Sequence, residues 1–196
     1  MNGVNMAAVY VVQTLGSLYL LIVLLRFILQ LVRADFYNPL SQFIVRATQP
    51  LLKPLRRVIP GFAGIDLASL VLAIIVQLIL LAVIIMLMGA ALPPVLQLLV
   101  WSLVGVTSLF VKIFFFALII SVILSWVAPH SHNPAAMLVN QLCEPVLAPI
   151  RRILPSMGGL DLSPIFAFIA LRLVDMLLIA NMAMAVGMPR GLTLAF

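Results

Sequence analysis

Residues 38–67 read NPLSQFIVRATQPLLKPLRRVIPGFAGIDL, and residues 133–162 read NPAAMLVNQLCEPVLAPIRRILPSMGGLDL. The two stretches align without a gap, each residue of the first matching the residue 95 positions later. They share four prolines, two adjacent arginines, a glycine and an aspartate in register. A match of this kind at a fixed spacing indicates an internal repeat. The chain is therefore a tandem duplication, with one copy in residues 1–92 and the other in residues 95–196.

The composition around this repeat is that of a membrane protein. Of the 196 residues, 65% are apolar and 8% are charged, whereas an average soluble domain has about 25% charged residues. The single cysteine excludes a disulfide scaffold, and the chain lacks the Cys and His spacing of a structural zinc site. The net charge of +6 comes from residues that flank apolar runs. This placement is typical of cytoplasmic loops and does not indicate a nucleic-acid partner.

Four apolar runs are long enough to cross a bilayer, whose hydrocarbon core needs about 20 helical residues. They occupy residues 4–32, 67–92, 95–128 and 162–186. The third run is too long for one straight span, so we expect it to be kinked, tilted or preceded by an interfacial turn. The sequence predicts an all-α membrane protein with four transmembrane helices, arranged as two tandem parallel repeats. Each repeat has a cytoplasmic amphipathic helix and a proline-rich connection, within residues 38–66 and 133–161.

The basic residues predict the orientation of these spans. The N-terminal tail and the turn between the second and third spans carry no lysine or arginine. The two connections carry Arg33, Arg46, Lys53, Arg56 and Arg57 in the first repeat, and Arg151 and Arg152 in the second. Because short loops rich in lysine and arginine stay inside the cell, both connections are expected to be cytoplasmic and both termini periplasmic.

Each connection begins with Asn-Pro, a pair that favours the start of a helix. We expect a short helix from Pro39 and from Pro134, each ending before the next proline, at Pro50 and Pro145. In the first copy, Leu40, Phe43, Ile44 and Ala47 share one face of this helix, which is expected to lie in the headgroup plane. Aspartates precede the second and fourth spans and are interpreted as further caps, with salt bridging or ion binding as the alternative. The predicted N-caps are Asn38, Asn133, Asp66 and Asp161.

The segment after each short helix has the pattern P-x3-P-x-R-R-x2-P. Since each proline removes a backbone donor, this segment is expected to be non-helical and to lie at the interface or against protein. The arginine pairs are Arg56 and Arg57 in one copy and Arg151 and Arg152 in the other. They are interpreted as anchors to anionic lipid headgroups, or alternatively as a docking surface for a protein or an anionic ligand.

Ionisable residues inside the spans are functional candidates. Arg26 lies roughly 10 Å from the inner end of the first span and is expected to reach the cytoplasmic surface. Arg172 and Asp175 share one helical face near the middle of the fourth span, and Lys112 has a similar depth on the third. These three residues are predicted to form one buried cluster. It could pair helices, line an ion or proton path, or face a partner copy.

The remaining candidates are weaker. His130 and His132 follow the third span, but the sequence offers them no partner ligands, and Cys143 is expected to be a small packing residue. The two aspartates at the starts of spans lack the setting of a membrane aspartyl protease, and no Ser/His pair or HExxH motif is present. We therefore expect neither an enzyme nor a bound metal or cofactor.

The doubled pattern N-P…P-x3-P-x-R-R-x2-P…G-x-D-L between apolar spans resembles the YggT family, also called YlmG in Gram-positive bacteria and plastids. Two copies with four spans resemble its proteobacterial form, which implies a location in the bacterial inner membrane. The second copy departs from the first at Ser121 and Ala148, where the first has Arg26 and Lys53.

The resemblance implies a small multi-pass protein without established catalysis, in a family connected with osmotic stress and ion uptake, cell division, and cytochrome assembly. The favoured interpretation is a non-enzymatic assembly or organisation factor that binds lipid and an unidentified protein partner. The alternative is an oligomeric ion channel or transporter subunit whose path passes Lys112, Arg172 and Asp175.

Overall fold

The computed structural model describes residues 3–61, 64–127, 133–153 and 161–189. Its helices are α1 (Gly3–Leu31), α2 (Pro39–Val58), α3 (Leu67–Leu87), α4 (Val95–Val127), α5 (Pro134–Ile153), α6 (Ser163–Leu173) and α7 (Ala180–Ala185). A π-helical segment, Val174–Ile179, joins α6 to α7, so that Ser163–Ala185 forms one continuous fourth span. α1, α3, α4 and this fourth span are each long and apolar enough to cross a membrane. The all-helical, four-span fold predicted from the sequence is confirmed.

The spans pack in chain order. α1 makes its most extensive contacts with α3, α3 packs also against α4, and the fourth span packs against α4. α2 lies against α1 and α3, and α5 occupies the same position against α4 and α6. Because successive spans alternate in direction, α2 and α5 lie at the same end of the bundle, which we call the arginine-rich end.

The spans differ in how much of their surface the protein covers. Within the most apolar window of each span, 44% of the residues of α4 are buried, compared with 11% in the fourth span. The third apolar run is a single helix of 33 residues, about 50 Å long. This length exceeds the roughly 30 Å of a hydrocarbon core, so tilting of this helix in the bilayer stays a prediction.

The connecting helices differ from the prediction. α2 continues through Pro50 and Pro54, and α5 continues through Pro145 and Pro149, so the expectation of non-helical segments after the first proline is wrong. All four prolines are exposed. The backbone carbonyls that lose their helical partners lie four residues earlier on the same side of each helix, where groups outside the protein can solvate them.

The buried stripe of α2 also differs from the predicted apolar face. It consists of Ser41, Ile44, Thr48 and Leu52, whereas Leu40 and Phe43 are exposed. The stripe is rotated because α2 packs on the ends of α1 and α3, where Thr48 accepts a hydrogen bond from Arg26. The face predicted from apolar residues alone is instead turned partly outwards.

Candidate functional site

Five polar side chains meet where α2 crosses the ends of α1 and α3. We call Arg26, Thr48, Arg56, Asp66 and Ser69 the first arginine–aspartate cluster. Asp66 accepts hydrogen bonds from Arg56 and, at 2.5 Å, from the Ser69 hydroxyl group. Arg26 Nη1 donates to Thr48 Oγ1 at 3.4 Å, and Arg26 Nε lies 4.0 Å from Asp66 Oδ2. One carboxylate therefore ties the second span to both the first span and α2.

The first cluster has a buried interior, although its Arg56 side chain is 42% exposed. Arg26 is 7% exposed and Asp66 is 4% exposed, so the expectation that Arg26 extends to the cytoplasmic surface is wrong. The side chain stays inside because α2 lies across the end of α1 and offers it Thr48. Burial raises the pKa of the Asp66 carboxyl, but hydrogen bonds from Arg56 and Ser69 outweigh it and hold the pKa below its usual value.

The second repeat has the same arginine–aspartate pair in a more open setting. Arg151 Nε donates to Asp161 Oδ2 at 2.9 Å, and Arg151 Nη1 donates to Glu144 Oε2 at 3.0 Å. The exposed fractions of these three side chains are 43% for Arg151, 45% for Asp161 and 60% for Glu144. Burial raises the pKa of Asp161, but hydrogen bonds from Ser163 and Arg151 lower it below its usual value.

The two clusters differ because three buried partners of the first are replaced in the second. Ser121, Cys143 and Pro164 stand at the positions of Arg26, Thr48 and Ser69. Ser121 donates to Asn140 Oδ1 at 3.0 Å and takes no part in the pair with Asp161. Cys143 is buried, and burial raises the pKa of its thiol to about 11. The second repeat therefore keeps the surface half of the cluster and lacks the buried half.

The four predicted caps occupy the starts of helices in different ways. Asn38 Oδ1 accepts from Leu40 N at 2.9 Å, and Asn133 Oδ1 accepts from Ala135 N at 2.9 Å. Asp66 is the N-cap of α3 and accepts from Ser69 N at 3.3 Å. Asp161 lies one residue outside the cap, which is Leu162, although its carboxylate still accepts from Ser163 N. Both aspartates also bind arginine, so capping and salt bridging, posed as alternatives, occur together.

Several basic side chains at the arginine-rich end point away from the protein. All four arginines of the two pairs are exposed, but Arg56 and Arg151 form ion pairs with aspartates whereas Arg57 and Arg152 form none. Among the described residues, five exposed basic side chains form no ion pair with a carboxylate. They are Arg33, Arg46, Lys53, Arg57 and Arg152. We call this set the basic face.

Hydrogen bonds join the two connections to each other. The Asn38 side-chain amide donates to the Pro134 carbonyl at 2.6 Å. The backbone N–H of Asp35 donates to Gln141 Oε1 at 3.0 Å. Because these bonds cross between repeats, α2 and α5 present their basic residues in a fixed relation to each other.

The three predicted intramembrane charges line one small cavity of about 130 Å³ between α4 and the fourth span. Arg172 Nη1 lies 3.3 Å from Asp175 Oδ2, and Lys112 is part of the same wall. The three side chains do come together as predicted, but the expectation that their cluster is buried is wrong, since 72% of the Arg172 side chain and 31% of Asp175 are exposed. The reason is that the fourth span turns this face away from the bundle. Asp175 lies in the π-helical segment, a distortion that is frequent at functional sites.

Sequence reasoning missed Thr48 and Ser69 as partners of the buried charges. A comparison of the two repeats could have identified them, because Arg26, Thr48 and Ser69 all differ from the residues at the equivalent positions of the second repeat. It also missed Gln77, the counterpart of Arg172, which is fully buried. Within the described part of the chain, neither polar atom of its side-chain amide has a hydrogen-bond partner.

His130 and His132 lie outside the described residues. Among the residues that the structure does describe, no group of three His, Cys, Asp or Glu side chains is placed to hold a metal ion.

Comparisons with known proteins match this chain along nearly its whole length. The model of the family described as CCB3/YggT matches residues 5–88 and 100–182, one stretch in each repeat. "Uncharacterized protein PA0392" of Pseudomonas aeruginosa is 71% identical over 195 residues, which cover 99% of both chains. "Uncharacterized protein YggT" of Escherichia coli K12 is 39% identical over 170 residues, covering 85% of this chain and 86% of that protein. No solved structure matches.

Proposed function

This chain belongs to the CCB3/YggT family, and we propose that it is a non-enzymatic protein that supports the assembly or organisation of other components of the bacterial inner membrane. In this proposal the arginine-rich end faces the cytoplasm and both termini lie in the periplasm. The basic face binds anionic headgroups and a protein partner, and no cofactor or nucleic acid takes part. Its work is linked to stress tolerance or to processes of the cell envelope.

The observation that carries the proposal is that the two arginines of each pair have different partners. Arg56 and Arg151 are tied to aspartates at the start of the next span, whereas Arg57 and Arg152 project outwards. In each pair, one arginine thus stabilises the fold, and the next arginine along the helix is free to bind a ligand. The positive charge at this end supports the cytoplasmic orientation.

Site-specific photocrosslinking in intact membranes tests the proposal. Val58 and Ile153 are equivalent positions next to the arginine pairs, and they are 81% and 80% exposed. A photoreactive residue at either position is expected to capture a discrete protein partner. Leu92, at the opposite end of the bundle and 48% exposed, is the control position and is expected to capture none.

The double variant Arg57→Gln/Arg152→Gln is expected to remove the adduct at both positions while the protein still inserts. An adduct that persists in this variant, or the same adduct from position 92, would contradict a basic docking face. Loss of protein from the membrane would be measured separately by immunoblotting of the membrane fraction.

The second candidate function is an oligomeric ion channel or transporter subunit, favoured by the cavity that Lys112, Arg172 and Asp175 share. Since four spans are few for a monomeric pore, copies would meet along the little-covered fourth span. Flux of monovalent ions into liposomes separates the two functions. A channel requires flux that Asp175→Asn abolishes and that Arg57→Gln/Arg152→Gln leaves unchanged, whereas the assembly proposal expects no flux from any of the three proteins.

A further inference from the structure

A large apolar cavity lies between the two repeats, near the arginine-rich end. Its volume is about 530 Å³, within the roughly 300–1,000 Å³ typical of small-molecule sites. Helices α1, α2, α4 and α5 all contribute to its wall, and every lining residue except Lys112 is apolar. Such an apolar wall offers water almost no hydrogen-bond partners, so it suits a hydrocarbon occupant.

The length of the cavity matches one leaflet of a bilayer. On α4 the lining residues run from Leu109 to Ile120, a rise of about 16 Å. Half of a hydrocarbon core is about 15 Å thick. The cavity therefore extends from the level of α2 and α5 to about the middle of the membrane, which is the depth of a single acyl chain.

The cavity opens through the side of the bundle. Four of its lining residues are exposed, namely Leu40 (43%), Phe43 (60%), Phe116 (46%) and Ile120 (46%). In a bilayer this opening faces the lipid, so an acyl chain can enter from the surrounding leaflet. The opposite wall is closed by buried residues such as Leu29 and Ala117.

Two arginines of the basic face lie close along the chain to lining residues of the cavity. Arg46 follows the lining residue Phe43 by three positions and shares its side of α2. Arg33 follows the lining residue Leu29 by four positions, just beyond the end of α1. Both arginines are exposed and neither forms an ion pair within the described residues. Guanidinium groups bind phosphate oxygens through paired hydrogen bonds.

We propose that this cavity is a binding site for one anionic phospholipid, with an acyl chain between α1 and α4 and the phosphate held by Arg33 and Arg46. The site deepens the proposed function and rests on it for the leaflet, because it takes the arginine-rich end to lie at the headgroups. A bound lipid of this kind would fill the seam between the repeats and link α2 to α5.

Native mass spectrometry of the full chain, released from nanodiscs of phosphatidylglycerol and phosphatidylethanolamine, tests the site. The wild type is expected to retain one phosphatidylglycerol per chain. Ala117→Phe, which fills the cavity, is expected to lower this occupancy at least fivefold. Ile120→Trp is expected to block the opening of the cavity. Because Ile120 is exposed, the larger side chain should not disturb folding. Ile123→Trp, on the same helix but outside the lining, is the matched control and should retain the lipid.

The double variant Arg33→Gln/Arg46→Gln is expected to keep a bound lipid but lose the preference for phosphatidylglycerol. Equal retention in Ile120→Trp and Ile123→Trp would overturn the site, as would retention of only a neutral lipid or a free fatty acid by the wild type. Arg57→Gln/Arg152→Gln should leave the lipid in place. If the partner adducts fail while the lipid is retained, the proposed function falls and the lipid site stands.

Discussion

The first repeat buries the aspartate of its arginine–aspartate pair under α2, together with a second arginine, Arg26, whereas the second repeat leaves the equivalent aspartate near the surface. Asp66 is 4% exposed and Asp161 is 45% exposed, although each accepts from an arginine ten residues before it. The difference shows which part of the duplicated motif is common to both copies. Tying the connecting helix to the next span requires only the arginine and the aspartate, and burial is an addition of the first repeat.

The same contrast extends to the middle of the spans. Gln77 in the first repeat is buried against Gly105 of α4, where an added Cβ would lie 2.5 Å from its side-chain nitrogen. Its counterpart Arg172 is 72% exposed on the fourth span. The middle of the second span is therefore packed against α4, whereas the equivalent position of the fourth span presents its polar group outwards.

The largest expected effect comes from Asp66→Asn. This change leaves Arg26 buried without a carboxylate and removes the partner of Arg56. Breaking a buried ion pair on one side costs about 3–5 kcal/mol, so we expect the free energy of unfolding to fall by about that amount. Chemical unfolding in detergent micelles, followed by circular dichroism, measures it. A loss no larger than that of Asp161→Asn would show that burial adds nothing to the first pair.

The next largest effect is expected from a second substitution that restores part of the lost stability. In the Asp66→Asn background, Arg26→Met removes the unpaired buried charge and keeps an unbranched side chain of similar length. An unsatisfied buried group costs about 1–3 kcal/mol, and we expect the second change to restore about that much stability. In the wild-type background Arg26→Met should not stabilise. Equal effects in the two backgrounds, measured by the same unfolding assay, would mean that Arg26 and Asp66 are not coupled.

A smaller effect is expected for Gln77→Leu. Because no described residue pairs with the Gln77 amide, an apolar side chain of similar volume should raise the free energy of unfolding by about 1 kcal/mol. Arg172→Leu, at the equivalent position, is the comparison, since an exposed side chain should change stability less. If Gln77→Leu instead lowered the free energy of unfolding, the Gln77 amide would have a hydrogen-bond partner in the membrane-embedded protein.

The sequence predicts the duplication, the number of spans and the shared arginine and aspartate, because these depend on composition and spacing alone. It misses the helical path through Pro50 and Pro54, since the loss of a backbone donor is tolerated on an exposed face. It also misplaces Arg26, because depth along one helix does not show that α2 crosses above it with Thr48. The first outcome depends on the exposure of one helix face, and the second on a contact between distant elements.

The smallest effect on stability is expected for Asp161→Asn, because the ion pair of the second repeat differs from that of the first. Arg151 has a second carboxylate in Glu144 at 3.0 Å, whereas the first repeat has Gln49 at that position. Exposed ion pairs contribute less than about 1 kcal/mol, so stability should change by no more than that. Cys143 provides a local readout, because its thiol is buried on α5 and its pKa is raised to about 11 by that burial.

Maleimide labelling of Cys143 in native membranes should therefore remain slow in Asp161→Asn. It should become faster in Asp161→Asn/Glu144→Gln, where Arg151 has lost both partners and α5 is less firmly attached to the fourth span. Labelling that is already fast in the single variant would mean that the open pair in the second repeat restrains its helix as strongly as the buried pair does in the first.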